Sequence, residues 1–354
     1  MKLHAHLPAL PGALLALLAA VTFGVSTPFV QRTGVGIGPF GTAALLYAGA
    51  ACMGYLLRQP VEREAALRRS DLKRLTWMAL FGAAIGPVAL AWGLQHTSGT
   101  SGSLMLALEA VFTAVLARLL YRETMGLRVW CAVLLLLAGG VVLVIDRGTA
   151  SGNAQLLGLL AILVATVAWG IDNTLSRALA ERDPGQVVLG KSVLGAIATA
   201  CIALIVLEPL PNWKAALALL AIGATGYGLS LRLYLLAQRS FGAARTGSVF
   251  AFAPFIGAVV AIAMGDRSLS WGMALGGLLM LAGVVLHLVE RHSHEHTHEP
   301  LGHEHAHRHD DEHHGHHHSH DAQLPATEHS HWHLHEPTRH THAHVPDVHH
   351  AHTH

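Results

Sequence analysis

Ten apolar runs follow one another along the chain, at about 9–30, 39–57, 75–95, 102–120, 126–145, 155–177, 187–207, 214–236, 243–264 and 269–289. Each is about as long as the ~20 residues an α-helix needs to cross a bilayer core. In lipid every backbone N–H and C=O must find a partner within the protein. The runs lack the alternation of a barrel strand, which leaves helices. They also lack the charged faces that a soluble helix turns to water. Of the 354 residues 52% are hydrophobic and 13% charged, whereas soluble domains carry about 25% charged residues. The expected fold is an all-α polytopic membrane protein with ten transmembrane helices, its surroundings the lipid bilayer.

Other classes recede on the same reading. The formal net charge of +1 provides no basic field for nucleic acid. Cys52, Cys131 and Cys201 sit inside apolar runs with no CxxC, so neither a disulfide framework nor a zinc finger is expected; they read as small buried apolar residues. "GVGIG" (34–38) is a glycine-rich turn between helices with no strand before it, not a phosphate loop, and there is no zincin pair. No enzyme is expected. "MKLHAHLPALPGALLALLAA" has the outline of a signal peptide, but a later counterpart of this segment argues for a retained helix.

Orientation follows from Lys and Arg. With the N-terminus inside, fourteen fall in interior loops, Arg58, Arg63, Arg68, Arg69, Lys73, Arg74, Arg118, Arg122, Arg128, Arg177, Arg182, Lys191, Arg239 and Arg245, and four outside, Arg32, Arg147, Lys214 and Arg267. Both termini are then cytoplasmic. "PVEREAALRRSDLKRL" (60–75) reads either as a short helix on the inner membrane surface or as a solvated loop. Glycine spacings such as Gly82/Gly86 and Gly272/Gly276 suit close helix–helix approach.

The two halves repeat. At a shift of 143 residues they align without a gap from Leu94 to Leu143. Gln95 meets Gln238, Gly99 meets Gly242, Phe112 meets Phe255, Glu123 meets Asp266, and "GVVL" (140–143) meets "GVVL" (283–286). At a shift of 146, "FGVSTP" (23–28) faces "WGIDNT" (169–174). Five helices per repeat is an odd number, so the halves enter the membrane in opposite senses. Inverted repeats of this kind hold substrate near the midplane between them. The domain reading is 9–145 and 155–289 for the two five-helix repeats and 290–354 for a tail.

The stretches "LALEAVFTAVLARLLYRE" (106–123) and "SVFAFAPFIGAVVAIAMGD" (248–266), with ten helices as 5+5, resemble the EamA branch of the drug/metabolite transporter superfamily over residues 10–289. The second half keeps Pro254 of the family's pattern; the first has Val111 there. "AWGIDNTLSRAL" and the His-rich C-terminus also look like a bacterial EamA subgroup with such tails. The resemblance implies a permease of the bacterial inner membrane and a small-molecule substrate, without saying which. A homodimer is compatible with it.

An ionisable side chain at membrane depth costs about 2.5–3.5 kcal/mol on insertion scales and therefore faces the bundle interior. Glu109, in "LMLALEAVF", is the clearest case: a proton or cation site on the path, or a hydrogen-bonded structural acid. Asp172 and Asn173 follow in helix 6, with a salt bridge to Arg177 as the plainer reading of Asp172. Thr22, Ser26 and Thr27 occupy the related part of helix 1. Tyr227, Ser230 and Arg232 share helix 8, where Arg232 either snorkels or faces the cavity.

The tail contains 25 of the 29 histidines. It has few apolar groups and is expected to be disordered. The expected ligands are His292, His294, His296, His298, His303, His305, His307, His309, His313, His314, His316, His317, His318 and His320. Imidazole without thiolate suits Zn, Ni, Co or Cu ions, in many weak sites. No cofactor is required. The leading expectation is a secondary transporter of a small polar metabolite with a metal-binding cytoplasmic tail. A divalent transition-metal carrier, and a membrane-anchored metal store or sensor that transports nothing, are the alternatives.

Overall fold

The computed structural model describes residues 9–60, 63–121, 126–151, 153–180, 182–241, 243–288, 292–297, 301–307, 329–335 and 339–344. Its helices form ten spans long and apolar enough to cross a membrane: Pro11–Thr33, Pro39–Leu57, Arg69–His96, Gly99–Leu120, Leu127–Asp146, Asn153–Leu179, Pro184–Ile205, Trp213–Arg239, Arg245–Ala263 and Trp271–Leu288, here spans 1 to 10. They coincide with the ten apolar runs. The chain is a multi-pass membrane protein built as a 5+5 repeat. The end where span 1 begins and span 10 ends is called the near end, its opposite the far end.

The packing of the spans repeats across the halves. Spans 2 and 7, 4 and 9, and 5 and 10 lie against each other, each pair made of a span and its own counterpart. Span 3 packs on span 6 as span 8 packs on span 1, and span 2 touches span 8 as span 7 touches span 3. Glycine lets three of these contacts close. A Cβ on Gly139 would come within 2.6 Å of the Gly276 carbonyl oxygen, so spans 5 and 10 meet backbone to backbone. Gly82 of span 3 leaves room for Asp172 of span 6, and Gly226 of span 8 leaves room for Ser26 of span 1.

Matching breaks interrupt matching spans. Span 3 passes through a π-helical segment at Ala79–Ile85, and span 8 through one at Gly223–Leu229. Span 4 contains a 3₁₀ turn at Leu106–Leu108, directly before Glu109. Span 9 breaks between helices Ala243–Phe250 and Ala253–Ala263, where Pro254 at the new N-terminus has no N–H to leave unpaired. Paired interruptions of this kind bring irregular backbone to the junction of the two halves, where it is buried in protein rather than lipid.

The outside of the bundle is apolar. Leu204, Ile205, Leu207, Leu210 and Trp271 are among many exposed large hydrophobics. Cys52, Cys131 and Cys201 are also exposed, which corrects the expectation that they are buried. An apolar run in a membrane protein does not tell its core face from its lipid face, because both are apolar.

At the near end the described residues of the 60–75 segment are neither a surface helix nor a free loop. The helix starts only at Arg69. Ala65 forms a parallel bridge with Arg182, and Asp183 N–H donates to the Ala65 carbonyl at 2.8 Å. Arg239, at the end of span 8, donates to the carbonyls of Ala180 and Arg182, each at 2.6 Å, and pairs with Glu64 at 2.8 Å. Arg182 in turn pairs with Asp71 at 2.9 Å. The two buried carboxylates of this loop, Glu64 and Asp71, are thus met by arginines of the second half, while Arg63, Arg69, Lys73 and Arg74 are exposed.

In the tail, read from composition as disordered, the structure describes four short strands: β1 (His292–Thr297), β2 (Leu301–His307), β3 (His329–His335) and β4 (Arg339–His344). β1 pairs antiparallel with β4 and β2 with β3, which nests one pair inside the other. His-x-His has the two-residue period of a strand, so the histidines fall in register: His294 opposite His342, His305 opposite His331. His298, His309, His313, His314, His316, His317, His318 and His320 lie outside the described residues.

Candidate functional site

Spans 1, 2, 4, 6, 7, 8 and 9 enclose a cavity of about 60 Å³ at the junction of the two halves. Span 6 supplies Trp169, Asp172 and Asn173, span 4 Glu109, and span 7 Lys191 and Ser192. Span 8 supplies Tyr227, Ser230 and Tyr234 from its π segment and the helix after it. Tyr47, Phe23 and Phe250 come from spans 2, 1 and 9.

Lys191 and Asp172 form a buried ion pair, their side chains 2% and 4% exposed. Two charges this deep are tolerable only together. Asn173 Nδ2 donates to Glu109 Oε1 at 2.5 Å, so the second carboxylate is met by a neutral amide. The Gly82 carbonyl, inside the π segment of span 3, accepts from the Tyr47 hydroxyl and from Trp169 Nε1 at 3.0 Å. Polar capacity is left over: among the described residues Asp172 Oδ1, Ser192 Oγ and the Tyr227 hydroxyl are buried with no hydrogen-bond partner.

The sequence-predicted residues divide. Glu109, Asp172, Asn173, Tyr227 and Ser230 meet at this cavity. Thr22 and Ser26 do not line it. Thr22 Oγ1 donates to the Leu18 carbonyl at 2.9 Å and Ser26 Oγ to Phe23 at 2.6 Å, each inside its own helix, and Thr27 is buried. The contribution of span 1 is the ring of Phe23 instead. Arg232 is not a wall either; it donates to the Leu57 carbonyl at 2.8 Å and joins spans 2 and 8. The partner of Asp172 is Lys191, not Arg177. The Lys/Arg count placed Lys191 with the interior loops, although it lies within the run read as 187–207. Pro184 starts it three residues earlier, with the Asp183 side chain accepting from Gly185 N–H as its cap, and carries Lys191 inward.

Nearer the far end a second cavity, of about 260 Å³, lies among Pro28, Gln31, Ser98, Gly99, Ala261 and Asp266, on spans 1, 4 and 9. Gln31 Nε2 crosses it to the carbonyls of Leu94 and Thr97, at 3.1 and 2.8 Å. Asp266 caps the start of span 4, accepting from Thr100 N–H at 2.9 Å and Thr100 Oγ1 at 2.8 Å, while Ser268 also donates to it.

Helix order, paired breaks and an enclosed polar junction leave the family to be decided by comparison. Residues 10–145 and 156–289 each match the EamA-like transporter family. The chain belongs to that family. An "Uncharacterized transporter" of Methanothermobacter thermautotrophicus is 27% identical over 305 residues, covering 80% of this EamA chain and 87% of the relative. The "Uncharacterized transporter YyaM" of Bacillus subtilis is 25% identical over 201 residues, 54% of this chain and 65% of that one. A crystal structure superposes with a TM-score of 0.58 at 19% identity, covering 78% of this chain and 94% of the other, a likeness of fold. This EamA protein is thus a membrane transporter with a small-molecule substrate, and its cavity lies where the two family units meet.

The far-end cap gives one prediction. Burial of the Asp266 carboxyl works to raise its pKa, but the hydrogen bonds from Ser268 and Thr100 outweigh it and hold the value down at about 2. An unfolded Asp titrates near 3.9. The cap's contribution is therefore complete above about pH 4 and lost as pH falls toward about 2. Melting curves of the wild type and Asp266→Asn are expected to differ by a constant amount from pH 5 upward and to converge below pH 4. A gap that persists at pH 2 would contradict the cap.

Proposed function

We propose that the protein is a secondary transporter of the bacterial inner (plasma) membrane that moves a small polar metabolite by alternating access, with both termini in the cytoplasm and a metal-binding tail. The observation that carries this is the junction cavity: a carboxylate, an ion pair and unpartnered polar atoms gathered from both repeats at membrane depth, where polar groups are costly unless used. Rocking of one repeat against the other would open this junction to either side in turn. The excess of Lys and Arg in the loops of the near end supports its cytoplasmic placement. The ion pairs that join the two halves at the near end and the larger far-end cavity fit a state closed toward the cytoplasm.

The tail reading rests on spacing. Histidines at alternate positions of paired strands stand side by side and opposite one another, with Cβ atoms about 5 Å apart across a pair. Neutral imidazoles so spaced suit Zn, Ni, Co or Cu ions, without a single fixed geometry.

Reconstituted vesicles test both parts. Glu109→Gln is expected to lower the wild-type flux of a metabolite panel at least tenfold with reconstitution unchanged. Deletion of residues 291–354 is expected to abolish Zn²⁺ binding and leave that flux in place. Unchanged metabolite flux in Glu109→Gln would overturn the carrier reading of the cavity, and full Zn²⁺ binding without the tail would overturn the tail reading.

A further inference from the structure

We propose that the junction cavity takes a small organic cation, an ammonium or amidinium bound to Glu109 and walled by aromatic rings; this rests on the carrier reading above and names its substrate class. The charges around the cavity do not balance. Asp172 and Lys191 neutralise one another, and the remaining carboxylate, Glu109, has among the described residues only the amide of Asn173. An opposite charge entering beside Glu109 completes the site; an anion entering there would meet a like charge.

The walls point the same way. Aromatic residues make up 6% of the chain, yet six rings line this one cavity, three of them from the chain's five tyrosines. They pack against one another around Phe23. The Phe23 ring lies 5.6 Å from Trp169, 5.6 Å from Tyr227 and 5.5 Å from Phe250, and Tyr234 meets Phe250 edge-on at 5.1 Å. Ring faces attract a desolvated cation, Trp and Tyr most strongly. Acceptors are in place for its N–H groups: Asp172 Oδ1 and the Tyr227 hydroxyl, in residues 3% and 6% exposed, are wall atoms with no partner among the described residues. A carboxylate would need a charged donor lining its site. Here the one charged donor, Lys191, is already engaged by Asp172.

Binding of three probes that share a ring but differ in charge, benzylammonium, benzyl alcohol and benzoate, to the full chain in nanodiscs tests this by calorimetry, alongside their flux in vesicles. Benzylammonium is expected to bind at least tenfold tighter than the other two. Glu109→Gln is expected to remove that preference. Phe250→Leu, which keeps the carboxylate and alters a half-buried wall, is expected to weaken benzylammonium about three- to tenfold and hardly affect benzoate. Preferred binding or flux of benzoate or benzyl alcohol, still sensitive to Phe250→Leu, would overturn the cation class and leave the cavity as the carrier's site. Proton flux sensitive to Glu109→Gln, with no probe bound, would also overturn it, making the proton the only cation served. Insensitivity of every flux to both substitutions would remove the cavity from transport altogether.

Discussion

Lys191→Met is expected to destabilise the protein by about 3–5 kcal/mol, because it leaves Asp172 buried without its counter-charge. Asp172→Asn should cost a similar amount for the mirrored reason, a buried ammonium with no anion. The double variant Asp172→Asn/Lys191→Met should recover most of the loss, since taking both charges out of a buried pair is often neutral. Thermal melting of the purified variants in one detergent yields the three differences, and their non-additivity is the coupling energy. Additive losses would mean that the two groups do not depend on each other, contrary to their contact. The recovered double variant would still lack transport if the pair also serves the substrate, so stability and flux part company in that protein.

Arg239→Ala is expected to loosen the near end. The guanidinium joins the carbonyls of Ala180 and Arg182 to Glu64, whose side chain is 9% exposed. Hydrogen bonds to a charged group contribute about 1.5–3 kcal/mol each at most, and the substitution removes several together. Amide hydrogen exchange over 63–71 and 182–186 should accelerate by tenfold or more, while exchange in spans 5 and 10 stays as it was. Arg239→Lys keeps the charge but not the planar fork, and should restore only part of the protection. Unchanged exchange in Arg239→Ala would mean that the parallel bridge and the Asp183 hydrogen bonds hold the two loops without it.

The spans were legible because lipid imposes a length and an apolar content that local sequence must obey. The repeat was legible because both halves kept Gln, Gly and Phe at one offset. Glu109 and Asp172 stood out as charges inside apolar runs, and both line the cavity. Lys191 did not, since a Lys near the start of a span looks the same whether it snorkels to the interface or turns inward; only the Asp183–Pro184 start of the helix separates the two cases. The rings of Phe23 and Trp169 were hidden for another reason. Aromatic residues are as welcome toward lipid as toward a cavity, so periodicity does not tell their faces apart. Their signal was present at the head of the matched segments "FGVSTP" and "WGIDNT", where ring faces ring. Ser26 and Thr22 misled because a hydroxyl in a helix can be satisfied by its own preceding turn.

The π segments of spans 3 and 8 hold one residue more per turn than the α-helix on either side. Unwinding that surplus would rotate everything beyond it by about 100°. The phase of Tyr227, and of the Gly82 carbonyl that receives Tyr47 and Trp169, is thus set by a local excess of backbone rather than by side-chain packing alone. Deleting a single residue there would swing one stave of the barrel while leaving its neighbours upright.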